Sequence, residues 1–134
     1  MKIRFWGTRG SIAAPGRDTV LYGGNTTCLE IRFENGRTVI IDAGTGIRRL
    51  GQSLRQRSDL DPAVLLVTHV HWDHIIGFPF FATALEPASE LIVDGHPNAM
   101  LGLRHTLDHP TGGGYFPLAI EDLRIQVRHL NRIA

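Results

Sequence analysis

The stretch that most constrains this chain is a continuous apolar run, Ala63 to Val67, followed at once by Thr68-His69-Val70-His71-Trp72-Asp73-His74. An apolar run without alternation suits a strand buried on both faces, and such a strand needs other layers around it. The polar stretch that follows places three imidazoles and one carboxylate between His69 and His74. In an extended segment His69 and His71 point to the same side, because strand side chains alternate with a period of two. Asp73 and His74 come where the chain is expected to turn into a helix.

The neighbouring segments supply the layers. Lys2 to Trp6 alternates polar and apolar as a first strand does. Leu29, Ile31 and Phe33 are apolar while Glu30 and Arg32 are polar, a cleaner period of two. Asn35-Gly36 is a strong hairpin signal, and Thr38 to Ile41 is the returning β-branched strand, with Asp42 at its end. Ile47, Leu50 and Leu54 recur at helical spacing, which predicts an amphipathic helix over residues 47–57 with Arg48, Arg49 and Arg55 on a solvated face. Ser58 to Pro62 reads as a turn. Ile75 to Leu85 reads as a second helix, with Pro79 in its first turn or at a kink. Leu91 to Val93 is a short strand, Asn98 is expected to cap a helix running to Leu107, and Leu123 to Val127 alternates as a last strand. Strands that alternate with helices after an opening hairpin make a layered α/β (α+β) arrangement, and residues 1–134 allow one domain at most.

Composition narrows the function classes. Hydrophobic residues are 43% and charged residues 20%, which excludes a disordered or collagen-like chain. The net charge of +1 argues against a general electrostatic footprint for nucleic acid. One cysteine, Cys28, excludes an intrachain disulfide framework and makes a reduced, cytoplasmic setting the default. Cys28 reads as a small buried apolar residue rather than a reactive thiol. Met1 to Gly10 carries no apolar core of a secretory signal, and no run approaches the roughly 20 residues that a membrane helix needs.

Neutral imidazole and carboxylate together suit zinc, and also manganese or iron. Singly, each residue has a plainer reading: His69 and His71 as strand-end polar groups, Asp73 as a helix cap. Four at this spacing, directly after a buried strand, point to metal. Gly7 to Ser11 and Gly23 to Asn25 are glycine-rich turns whose amides either face a phosphate or simply turn the chain. Neither is a nucleotide-binding fingerprint, since Gly7-Thr8-Arg9-Gly10 does not fit GxGxxG.

His69-Val70-His71-Trp72-Asp73-His74 resembles the HxHxDH motif of the metallo-β-lactamase-fold hydrolases. Gly7-Thr8-Arg9-Gly10-Ser11-Ile12, Tyr22-Gly23-Gly24-Asn25-Thr26-Thr27-Cys28, Ile41-Asp42-Ala43-Gly44-Thr45-Gly46 and Gly77-Phe78-Pro79-Phe80-Phe81 are similar to one branch of that family, the ribonuclease Z and phosphodiesterase branch. The resemblance implies the N-terminal half of an αββα sandwich and a metal-dependent hydrolase of phosphodiesters, of small-molecule or nucleotide type. It implies two metal ions, with His69 and His71 on the first and Asp73 and His74 on the second. Zinc is the first expectation. Asp42 would orient a metal-bound histidine or the motif backbone, the kind of partner that metal sites need. Asp73 would also hold the attacking water in line. Thr8, Arg9, Ser11 and Asn25 would border the cleft and meet substrate, with Arg9 the foremost phosphate contact.

The chain departs from the family pattern downstream. A third histidine, a bridging aspartate and a final histidine belong to a second half of the fold, beyond Ala134. His129 and His109 are weak substitutes, and His96 and His105 read as surface residues. The resemblance therefore leaves several expectations: a fragment, a complementing second half, a homodimer with a shared site, or a non-catalytic half-domain that binds metal weakly.

Overall fold

The structure is a computed structural model that describes residues 1–57, 63–81, 91–107 and 125–127, the last three by backbone alone. One sheet of six strands runs in sequence order: β1 (Lys2–Gly7), β2 (Cys28–Arg32), β3 (Thr38–Ile41), β4 (Ala63–Val67), β5 (Leu91–Gly95) and β6 (Ile125–Val127). The first three strands form an antiparallel meander and the last four are mutually parallel. Parallel neighbours need a crossover. Helix α1 (Ile47–Arg55) joins β3 to β4, and α3 (Pro97–Leu107) leads away from β5. A short helix α2 (Trp72–Ile75) and a 3-10 turn, Phe78–Phe80, follow β4. The fold class is the expected α/β.

The core lies on the helical side of the sheet. Ile47, Leu50 and Leu54 of α1 and Ala99, Met100, Leu103 and Leu107 of α3 pack with Cys28, Ile40, Leu65, Val67, Leu91 and Val93 from the strands. Arg48, Arg49 and Arg55 stay on the exposed face of α1, as its periodicity predicts. Burying each large aliphatic side chain contributes about 1.5–3 kcal/mol.

The opposite sheet face carries two apolar rows. Ile3, Ile31, Val39, Val64 and Ile92 are successive register partners, and so are Phe5, Leu29, Ile41 and Leu66. Ile3 is 53% exposed and Phe5 67% exposed, whereas the interior strands shield one another. In β2 it is therefore the polar residue that faces the helices. Glu30 is buried, takes a 2.6 Å bond from Arg57 Nη1 beyond the end of α1, and takes a 2.9 Å bond from Trp6 Nε1. Arg4 lies over the Trp6 ring at 4.0 Å. Burial alone would raise the Glu30 carboxyl, but the Arg57 and Trp6 bonds outweigh it and hold the group below the ordinary glutamate value.

Three expectations are corrected. The helix expected from Ile75 does not form over the described residues: α2 stops at Ile75, and Phe78–Phe80 is a separate 3-10 turn. The Gly77 amide bonds Ala43 O at 2.8 Å, and Pro79 has no N–H to continue a ladder. Residues 82–85 of that expectation lie outside the described residues. Asn98 is not the cap of α3 but sits in its first turn, behind Pro97; its amide bonds His96 Nδ1 at 3.3 Å, so His96 does the capping. The expected helix at 47–57 ends at Arg55. The Ser58 to Pro62 turn and residues 123–124 of the last strand also lie outside the described residues.

Candidate metal centre

Parallel α/β sheets gather ligands at the carboxyl ends of their strands. Here Asp42 follows β3, Thr68 and His69 follow β4, and His96 follows β5, all at one sheet edge. Asp42 adopts a left-handed backbone, φ 61°, which Asp tolerates better than most residues. Its amide bonds Leu66 O at 3.0 Å. The side chain is buried and turned toward the motif.

Asp42 is the hub. Its Oδ1 accepts the Thr68 amide at 2.8 Å. The Thr68 hydroxyl stands 2.9 Å from both carboxylate oxygens. Its Oδ2 lies 2.8 Å from His74 Nδ1. A carboxylate can only accept, so the bond to Asp42 requires a proton on His74 Nδ1, and in the neutral ring this leaves the lone pair on Nε2. That Nε2 is 3.5 Å from Asp73 Oδ2. Two ligands at tetrahedral zinc, each about 2.1 Å from the ion, lie roughly 3.4 Å apart. The spacing fits one edge of such a shell.

The other imidazoles gather beside this edge. The His69 ring is 4.0 Å from that of His74 and 4.5 Å from that of His71, centre to centre. Among the described residues, no three His, Cys, Asp or Glu side chains close a complete ligand set around one point. The donor types suit a divalent ion, and the Asp73–His74 edge has the right span. The group as placed is a partial shell.

The glycine-rich loops are tied to the same place. Ser11, at φ 66°, donates its amide to Asp73 Oδ2 at 2.8 Å. Burial would raise the Asp73 carboxyl, but the Ser11 bond, with the neighbouring His74 and His71, overcomes this and keeps it below the ordinary aspartate value. The amides of Thr8 and Arg9 both bond Asn25 O at 3.0 Å, and Thr8 Oγ1 bonds Tyr22 O at 3.2 Å. Asn25 Oδ1 accepts the Thr45 hydroxyl at 3.1 Å, while Thr45 and Thr26 exchange side-chain to amide bonds of 2.9 and 2.8 Å. Thr8, Arg9 and Ser11 are exposed, and Asn25 is half-buried.

The motif is pressed against the loop after β3. Ala43 N bonds His74 O at 2.7 Å, and a Cβ at Gly44 or Gly77 would run into backbone oxygens of the other segment. Both glycines are therefore needed for close approach. Cys28 is fully buried beneath, and burial, with Asp42 and Glu30 adding repulsion, pushes its thiol up to about 12. An inert thiol is the expected reading. His96 and His105 are exposed; His109 and His129 lie outside the described residues. Sequence reasoning did not single out Thr68 or the Glu30–Arg57 pair. The position of Thr68, between a buried strand and the first histidine, was the available signal.

No helix among the described residues is long and apolar enough to cross a membrane. The profile of the metallo-beta-lactamase superfamily matches residues 21–129. A ribonuclease Z of Natronomonas pharaonis is 27% identical over 126 residues, which are 90% of this chain and 37% of the relative. The chain thus spans little more than a third of that relative's length. With the strand-end histidine cluster and a family profile that covers most of its residues, this chain belongs to the metallo-beta-lactamase superfamily.

Proposed function

We propose that this chain supplies the HxHxDH part of a dinuclear centre in a metal-dependent hydrolase of phosphodiesters. The observation that carries it is the His74–Asp73 edge of 3.5 Å, with His74 Nδ1 engaged by Asp42. His69 and His71 would hold one ion, and Asp73 and His74 the other. The donor set favours zinc, with manganese and iron as alternatives. Divalent ions bound there would acidify water and offset negative charge developing at phosphorus. The chain's own part is positional. Asp42 fixes the His74 ring. Ser11 keeps Asp73 ionised, so that its carboxylate can accept a hydrogen bond from the attacking water and hold it in line. Thr8, Arg9, Ser11 and Asn25 would border the substrate, with the Arg9 guanidinium set against its phosphate.

The phosphodiester assignment rests on the likeness to a ribonuclease, whose RNA linkages are phosphodiesters. The single buried cysteine agrees with a reducing, cytoplasmic setting. The test is hydrolysis of bis-(p-nitrophenyl) phosphate by zinc-loaded protein, with His71→Ala and Asp73→Ala as controls. Turnover that both variants retain would rule the reading out.

The partial ligand shell favours a second reading: a half-domain that binds metal weakly and associates with a second copy or a complementing half. Zinc binding without turnover by the chain alone, with turnover only after association, would favour it.

A further inference from the structure

The Thr68 hydroxyl has one proton and three close neighbours. It is 2.9 Å from Asp42 Oδ1, 2.9 Å from Asp42 Oδ2 and 3.0 Å from His69 Nδ1. Only one arrangement of protons satisfies all three contacts. Carboxylate oxygens accept and do not donate. If the hydroxyl proton pointed at His69, the Thr68 oxygen would face two carboxylate oxygens at 2.9 Å with no proton between them. The proton therefore goes to Asp42, and the Thr68 oxygen must accept from His69. His69 then carries its proton on Nδ1, as His74 does through its direct bond to the same carboxylate.

We propose that Thr68 is a positioning residue: its hydroxyl relays the Asp42 carboxylate to His69, so that one buried acid sets the Nδ1–H tautomer of two imidazoles. In the neutral rings both Nε2 atoms are thereby left unprotonated. Histidine in water favours the opposite tautomer, with the proton on Nε2, which leaves no lone pair there. The Thr68 amide, bonded to Asp42 Oδ1 at 2.8 Å, ties the hydroxyl's own residue to the same acid. The tautomer of a ring nitrogen is set by the bond its other nitrogen makes. Valine at position 68 would keep the branched shape and break the relay. Serine would keep it.

The relay's use for metal rests on the function proposed above, but the relay itself can be read without metal. The experiment is a long-range proton–nitrogen correlation spectrum of the imidazoles in the metal-free, nitrogen-15-labelled chain at about pH 8.5, well above the ordinary histidine value. The unsubstituted chain should show His69 and His74 both protonated on Nδ1. Thr68→Val should move His69 to the Nε2–H form and leave His74 unchanged. Thr68→Ser should restore His69. Zinc affinity, measured by chelator competition, should fall about tenfold or more in Thr68→Val, the usual cost of losing such a supporting partner, and recover in Thr68→Ser. His69 protonated on Nε2 in the unsubstituted chain would overturn the relay, a result that needs no variant to fold. An unchanged His69 tautomer in Thr68→Val would overturn it as well. Both tautomers present in a chain that binds no zinc would sink the metal reading and leave the relay standing.

Discussion

His74 Nδ1 lies 2.8 Å from Asp42 Oδ2, across 32 residues of chain, and this bond decides which ring nitrogen faces outward. Asp42→Asn tests it with little change in shape. Asparagine also tolerates the left-handed backbone at position 42. Its amide oxygen can accept only part of what the carboxylate accepts. Zinc affinity should fall by about 10- to 100-fold. Stability should fall by about 1 kcal/mol, because a donor on the half-buried His74 or on Thr68 loses its carboxylate partner. Chelator competition and urea unfolding check the two effects separately.

Asp73 carries a pH prediction. Its folded-state pKa is depressed, so its contribution to stability is present above the unfolded value of about 3.9 and is lost as pH falls through the lower folded value. The stability difference between the parent chain and Asp73→Asn should be constant near neutrality. It should shrink toward acid, below about pH 4. Carboxyl carbon NMR should place the Asp73 midpoint below that of an ordinary aspartate. A midpoint above the ordinary value would contradict the bond from Ser11.

Much of this arrangement is legible in the sequence. The strand at Ala63–Val67, the hairpin at Asn35-Gly36 and the helix that carries Ile47, Leu50 and Leu54 rest on local signals, and each is found. Burial of that strand on both faces is not, since Val64 and Leu66 stay half-buried on the face that no helix covers among the described residues. The sidedness of β2 was not legible. Alternation reveals two faces but not which one the helices cover, and Glu30 is buried because Arg57 and Trp6 meet it there. The helix expected from Ile75 failed because its stop signal is tertiary, the Gly77 amide held by Ala43. Asp42 could be marked by its place at a strand end. Its bonds to Thr68 and His74 could not, since they depend on how β3 and β4 pair.

The Glu30–Arg57 pair predicts an asymmetric result. Arg57→Met should destabilise the chain by about 2–4 kcal/mol, somewhat below the usual cost of breaking a fully buried pair because Arg57 still reaches solvent. Replacing both residues with apolar ones, Glu30→Leu with Arg57→Met, should recover most of that loss. Urea unfolding of the single and double variants checks it. A double variant less stable than the single would show that the pair holds more than itself.

The exposed apolar row predicts behaviour in solution. Ile3 and Phe5 stand at the open end of the sheet face that no helix covers among the described residues. Phe5→Glu should change stability by no more than about 0.5 kcal/mol, as a surface substitution does. It should reduce binding of an apolar fluorescent dye and reduce self-association seen by light scattering. A large loss of stability would mean that Phe5 is packed and not exposed.

Metal binding by the cluster at the end of β4, as proposed above, can be read without turnover. The most direct measurement is zinc retained per chain after dialysis, by elemental analysis, on protein of known oligomeric state. About one zinc or more per chain is expected, lost in a variant with His69, His71, Asp73 and His74 all replaced by alanine. Zinc at the level of that variant in the unsubstituted chain would contradict it.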